Sequence, residues 1–169
     1  AHDTRPQEFY RFDSANTFKK FVELRYALLP YLYSEYMKAA FNDDMLFKPL
    51  CFEYDDDRCS ETEDQLLWGE SVMLAPVYRQ NTTGRYVYLP EDMKLIRFRA
   101  FDDYDEEELE KGDHYIKAGL NEIPVFIRKG HVLPLARPAK RVKNISTDKL
   151  DYICYGADPD SYELYADDG

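Results

Sequence analysis

The hydrophobic period changes once along this chain, and the change restricts it to a long helix followed by a β-rich unit. From Ser14 to Phe41, Phe18, Phe21, Val22, Leu28, Leu32 and Tyr36 stand among apolar residues recurring every three or four positions, the spacing of one helix face. Lys19, Lys20, Glu23, Glu35 and Lys38 fall between them. Asp13 or Ser14 is placed to cap the start, and Pro30 removes a backbone donor, so a bend is expected near Tyr26, where the lost bond would have ended. The apolar face of such a helix needs a large partner surface.

After the helix, Met45 to Tyr54 mixes β-formers with Pro49 and ends in the acidic turn Asp55 to Arg58, which predicts an edge or irregular strand. Ser60 with Glu63 three positions on has the form of a capping box, and Gly69 follows Leu66, Leu67 and Trp68. That pattern predicts a short helix of about two turns ending at Gly69.

Beyond Gly69 the runs shorten and turn residues separate them. Strands are expected at Ser71 to Tyr78, Arg85 to Leu89, Lys94 to Ala100, His114 to Ala118, Pro124 to Ile127 and Val132 to Leu135, the signature of an antiparallel β-sandwich. The loop Gln80 to Gly84 has the size of a hairpin connection, and the acidic stretch Asp102 to Gly112 reads as a longer, mobile connection. Arg137 to Lys143 reads as a linker, followed by a strand pair, Leu150 to Tyr155 with Ser161 to Tyr165, joined through Gly156 to Asp160. Two strands alone are marginal in water, so this hairpin is expected to open a further β-domain.

Aromatic residues make up 15% of the 169 residues, enough to build a core despite the many charges. The formal net charge of −11 disfavours nucleic acid and anionic membrane surfaces as partners. The apolar runs are too short to cross a bilayer. Cys51, Cys59 and Cys154 are odd in number and lack metal-ligand spacing, which fits a reducing compartment. The tripeptides at Asn81 and Asn144 match the glycosylation pattern, but a pattern that short carries little weight. The sequence opens at Ala1 without Met and stops at Gly169 directly after a strand-like run, so truncation at both ends is expected. The cytoplasm is the expected location, with export left open by the N-terminus.

Several ordered segments carry a family resemblance: Thr4 to Glu8, Leu24 to Tyr33, Lys48 to Tyr54, Asp64 to Gly69, Leu74 to Val77, Tyr88 to Pro90, Ile123 to Gly130 and Leu164 to Gly169. In this order and spacing the chain resembles the C-terminal part of glycoside hydrolase family 31, the α-glucosidase family. Departures are local: Lys48 where Arg is usual, Cys51 at an aromatic position, Lys129 in place of Gly and Ala166 in place of Glu. Met93 to Leu120 matches poorly.

The resemblance implies three parts. Residues 1–48 would close the (β/α)8 catalytic barrel with its last helix, residues 49–137 would form the proximal C-terminal β-sandwich, and residues 138–169 would be a linker and the start of the distal β-domain. The expected fold class is therefore mainly β with a long N-terminal helix.

A retaining glycosidase needs two carboxylates roughly 5 to 5.5 Å apart, one as nucleophile and one as acid/base. The family carries both on earlier barrel strands, so no catalytic residue is expected in this chain; both would precede Ala1. His2 is the one nominated substrate contact, although the family's sugar-binding histidine should stand about five residues before Thr4, which makes His2 a loop residue near the cleft mouth. His114 and His131 lack triad or metal partners at motif spacing and read as structural. Tyr86, Tyr88, Tyr152, Tyr155, Tyr162 and Tyr165 have faces that suit sugar rings, while the ordinary role of such residues is core filling.

The resemblance thus implies a part of a retaining, exo-acting α-glucosidase that hydrolyses terminal α-linked glucose from oligosaccharides, with no cofactor and no metal, the part itself being structural and inactive. Its expected partner is the catalytic barrel of the same polypeptide, and self-association through the uncovered helix is expected without it. The family also includes α-xylosidases and α-galactosidases. The alternative is a stand-alone carbohydrate-binding or interaction β-sandwich module, suggested by the Tyr-rich strands.

Overall fold

A computed structural model of the protein describes residues 8–166. The expected single helix is two helices, α1 (Ala15–Ala27) and α2 (Leu29–Phe41), separated by Leu28. Proline is the cause: Pro30 offers no N–H to the carbonyl of Tyr26, and its fixed φ suits the first turn of α2 instead. The interruption is slight, since Leu28 N still donates to Leu24 O at 3.0 Å and Leu32 N to Leu28 O at 2.9 Å. Ser14 occupies the N-cap of α1 without a capping bond from its side chain. Leu24, Ala27 and Tyr31, with Ser34 and Glu35 three and four residues beyond Tyr31, lie on the buried stripe. Glu35, by its position in the sequence a polar-face residue, is buried.

Among the described residues, six antiparallel strands form the main sheet. They are β1 (Phe47–Pro49), β2 (Leu66–Trp68), β3 (Val72–Leu74), β5 (Met93–Ala100), β6 (Asp103–Leu109) and β8 (Ile123–Arg128), in the order β1-β2-β3-β8-β5-β6. Two antiparallel pairs cover it: β4 (Gly84–Leu89) with β7 (Gly112–Lys117), and β9 (His131–Ala136) with β10 (Leu150–Tyr155).

Alternation along the central strands builds a core on each face of this sheet. Leu95, Met73 and Phe126 point to one face, where Val87 and Leu89 of β4 and Ile116 of β7 meet them, with Cys59 from α3 (Asp57–Glu61). Ile96, Phe98, Val125 and Ile127 point to the other, where they meet Leu24, Ala27 and Tyr31 of the helices, Leu133 and Leu135 of β9, and Ile153 of β10. Burial on both faces explains why Ile123–Arg128 reads as a nearly unbroken apolar run. The chain is thus mainly antiparallel β, with the two N-terminal helices packed on one side.

Four local expectations are corrected. The helix expected up to Gly69 is instead α3, capped by Asp56, whose carboxylate accepts from Arg58 N at 2.9 Å. Leu66–Trp68 form strand β2 because β1 and β3 offer ladders on both of its edges, and tertiary pairing of this kind overrides a two-turn helical signal. The positive φ of Gly69, +61°, serves the β2–β3 turn.

The segment Gln80 to Gly84 is not a hairpin turn, because β3 pairs with β2 and β8 while β4 pairs with β7; it carries the chain between layers. The acidic connection is strand β6, an edge strand whose carboxylates meet the bases of β5: Lys94 with Glu106 at 2.9 Å, Arg97 with Glu107 at 2.8 Å and Arg99 with Asp105 at 2.6 Å. A charged edge also discourages pairing with other chains. Finally, β10 pairs with β9 and not with Ser161 to Tyr165, where the chain makes a 3-10 turn at Pro159–Ser161 and then continues as neither helix nor strand.

Candidate functional site

The densest buried polar chemistry lies where α2 meets the β2–β3 turn. Tyr31 is fully buried, and its hydroxyl donates to Trp68 O at 2.5 Å while accepting from Ser71 N at 3.1 Å. Its ring meets the Trp68 ring edge-on, with centroids 5.0 Å apart. Burial, followed by the negative charge of Glu35, pushes the phenol's pKa well above its ordinary value. One helical turn on, the carboxylate of Glu35, 2% exposed, accepts from Glu70 N at 2.8 Å, Tyr162 Oη at 2.8 Å and Lys38 Nζ at 3.0 Å. Donors on both oxygens, one of them an ammonium, offset the cost of burying this charge.

A second stitch comes from Ser34, whose hydroxyl donates to Pro30 O at 2.8 Å and accepts from Tyr165 N at 3.0 Å. The ring of Tyr165 then packs edge-on against Tyr33, centroids 5.6 Å apart. Helix α2 is therefore fastened to the sheet on one side and strapped by residues 162–165 on the other. Gly69 belongs to this construction: a β-carbon there would overlap the side chain of Glu35.

Arg128, at the end of β8, anchors the neighbouring loops. Its Nε donates to Glu91 at 2.7 Å, its terminal nitrogens to Glu53 at 3.2 Å and Glu70 O at 3.1 Å, and its guanidinium lies 5.3 Å from the Tyr54 ring centre. Burial alone would lower its pKa, but the bond to Glu91 and the surrounding acids outweigh it and the net shift is upward. Tyr54 donates to the same Glu91 oxygen at 2.6 Å, and burial first, then that bond, raises its phenol. Gln65 uses its side-chain amide as a strand would, donating to Tyr88 O at 2.7 Å and accepting from Tyr88 N at 2.9 Å. These groups hold elements in place; each interior carboxylate is committed to structural donors.

The residues nominated from the sequence are scattered. His2 lies outside the described residues. His114 sets Nε2 2.7 Å from Glu110 O, and His131 is part-buried, with its pKa lowered by burial and then by Arg128. Among the tyrosines, Tyr155 and Tyr162 pack against the helix-side core, and Tyr88 lies beneath Arg58, whose guanidinium is 5.0 Å from its ring. Tyr152 is partly exposed, whereas Tyr86 is 72% exposed and faces its cross-strand neighbour Tyr115. Nothing in the sequence patterns singled out Ser34, Glu35 or Arg128. Glu35 carries a faint signal, an acid placed between Tyr31 and Lys38 at helical spacing, but only the pairing of β2 with β3 brings Glu70 N to it.

Two halves of this junction match two domains of one enzyme family. The sequence model for the glycosyl hydrolase family 31 C-terminal domain matches residues 43–133, and that for the glycosyl hydrolases family 31 TIM-barrel domain matches residues 1–35. The chain belongs to glycoside hydrolase family 31. It is 34% identical to alpha-glucosidase 2 of Bacillus thermoamyloliquefaciens over 89% of this chain and 19% of that one. It is 32% identical to the alpha-xylosidase of Saccharolobus solfataricus, over 97% of this chain and 22% of that one. In three dimensions it is similar to the family 31 dextranase of Flavobacterium johnsoniae bound to isomaltotriose, with a TM-score of 0.70 at 26% identity over 92% of this chain and 19% of that one. The chain therefore spans about a fifth of the length of these relatives. Tyr31, Ser34 and Glu35 fall in the segment matched to the barrel, while Trp68 to Ser71 and Arg128 fall in the segment matched to the C-terminal domain.

Proposed function

We propose that this chain is the part of a retaining, exo-acting α-glucosidase that fastens the last helices of the catalytic barrel to the C-terminal β-sandwich. The observation that carries the reading is the buried pair Tyr31 and Glu35, which binds a barrel-matched helix to the β2–β3 turn through Trp68 O, Ser71 N and Glu70 N, while Ser34 ties the same helix to Tyr165 N. In this reading residues 1–48 complete the barrel, 49–137 form the proximal sandwich and 138–169 begin the distal one. The two catalytic carboxylates belong to barrel strands outside this sequence, because the interior acids here are engaged by structural donors. Terminal α-linked glucose as substrate is supported by the α-glucosidase among the relatives; the α-xylosidase marks the competing specificity.

A barrel wall also accounts for the outward side of the helices, where Val22 and Tyr36 remain exposed. Without that wall the same face drives self-association, which solution scattering would report as a dimer or larger species. The decisive assay compares the intact enzyme with this chain alone on aryl α-glucoside and aryl α-xyloside. Turnover of the glucoside by the intact enzyme and none by the chain is expected. Appreciable turnover by the chain would sink the placement of the catalytic groups, and preference for the xyloside would reassign the substrate.

A further inference from the structure

The outer face of the β4/β7 pair is sealed at one end and open at the other. At the sealed end, Tyr88 is covered by Arg58 and donates to Asp56 at 2.6 Å. Two residues back along β4, on the same face, Tyr86 stands opposite Tyr115 of β7, their rings T-shaped with centroids 5.2 Å apart. Both are largely exposed, at 72% and 50%. A third exposed tyrosine, Tyr78 of the β3–β4 connection, joins them around a cavity of about 350 Å³, within the range of small-ligand sites, about 300 to 1,000 Å³.

The site is organised before any ligand arrives. Arg85 is held by the Asp64 carboxylate at 2.5 Å and by Pro76 O at 3.0 Å. The Tyr78 ring has the guanidinium groups of Arg85 and Arg79 at 5.8 and 5.9 Å from its centre, and its hydroxyl reaches Asp64 at 3.3 Å. Arg85 therefore has little side-chain entropy left to lose on binding.

We infer that this cavity binds a neutral pyranose oligosaccharide, the C–H face of one sugar ring resting on Tyr86 and Tyr115 and its hydroxyls reaching Asp64, Arg79 and Thr82. The chemistry selects the class. Three tyrosine rings supply apolar area for the face of a sugar ring, while the Asp64–Arg85 pair would be desolvated without compensation by an apolar peptide. The pair also neutralises itself, which leaves Arg79, set over the Tyr78 ring, as the lining's uncompensated charge and a donor to sugar hydroxyls. That the oligosaccharide is an α-glucan rests on the α-glucosidase reading above; the aromatic surface itself does not.

Titration of the full chain by NMR with maltohexaose, isomaltohexaose and cellohexaose tests the inference. Saturable shifts of the Tyr78, Tyr86 and Tyr115 rings with at least one α-linked hexaose are expected. Y86A combined with Y115A should weaken binding by about ten-fold or more, two exposed ring contacts being lost. Y86F with Y115F keeps the rings and should stay within about three-fold, which separates lost stacking from lost folding. Absence of saturable binding by the folded chain, or binding undiminished in the alanine pair, overturns the site. Equal affinity for cellohexaose overturns the α-glucan assignment. The titration needs no turnover, so its failure is distinguishable from failure of the intact enzyme on aryl α-glucosides.

Discussion

The hydroxyl of Tyr162 donates to Oε1 of Glu35 across 2.8 Å, joining residues 127 positions apart. Its ring also lies 4.3 Å beneath the ammonium of Lys38, which itself pairs with Glu35. One side chain thus ties the C-terminal strap to the charge buried in α2, and the helix is held from both sides.

Replacing Tyr162 by Phe keeps the ring and deletes the donor. The carboxylate of Glu35 then loses one of three partners in a buried setting, and stability should fall by about 1.5 to 3 kcal/mol, the range for hydrogen bonds to charged groups. Urea unfolding of the chain measures this. An unchanged midpoint would show that the strap is passive.

Gly69 combines a φ of +61° with a β-carbon position already filled by Glu35. Gly69→Ala should therefore cost about 2 to 4 kcal/mol, the left-handed penalty plus overpacking. A double-mutant cycle separates the two parts: in a Glu35→Ala background the steric part is relieved, and the cost of Gly69→Ala should shrink by at least about 1 kcal/mol. Strict additivity would place the whole cost in the backbone.

Acid should loosen the clip between the N-terminus of α3 and β4. The hydroxyl of Tyr88 first, then Lys111 and the backbone of Arg58, lower the Asp56 pKa from 3.8 to about 2. A depressed folded-state value means that the stabilisation is complete above pH 3.8 and is lost as the pH falls through about 2. Thermal midpoints followed from pH 5 to 2 should therefore drop less steeply in Asp56→Asn than in the parent chain. Parallel curves would remove Asp56 from the acid transition.

How much of this was legible beforehand depends on whether a residue's partner is near in sequence. The strands Arg85 to Leu89, Lys94 to Ala100 and Val132 to Leu135 lie within the observed β4, β5 and β9, because alternation and turn chemistry are local signals. Pro30 likewise marks the helix break to within two residues of Leu28. Leu66–Trp68 misleads, since its strand character comes from β1 and β3 on its two edges. The acid run Asp103 to Leu109 misleads for a related reason: its charges read as solvated loop until Lys94, Arg97 and Arg99 of β5 are set opposite them. Of the exposed aromatic face, Tyr86 is visible in the sequence, but its neighbour Tyr115 becomes visible only through the β4–β7 pairing.

Gln65 offers the sharpest chemical test. Among the described residues strand β4 has a partner strand on one side only, β7, and the Gln65 amide serves the other side by donating to Tyr88 O and accepting from Tyr88 N. The side chain is 5% exposed, so water cannot replace it readily. Gln65→Ala leaves a buried N–H and a buried carbonyl unpaired and should cost about 2 to 4 kcal/mol. Gln65→Glu is more discriminating. Ionised, it still accepts from Tyr88 N but sets a second acceptor against Tyr88 O; protonated, it restores the donor. The folded state therefore raises this carboxyl's pKa above its ordinary value of about 4.3. A raised folded value gives full stability below the unfolded pKa and loses it as the pH rises through the folded one. The deficit of Gln65→Glu relative to the parent chain, measured by urea unfolding at each pH, should be largest above the raised folded pKa and shrink as the pH falls through it toward about 4.3. A deficit that does not change with pH would mean that Gln65 is retained for its volume and not for its two hydrogen bonds.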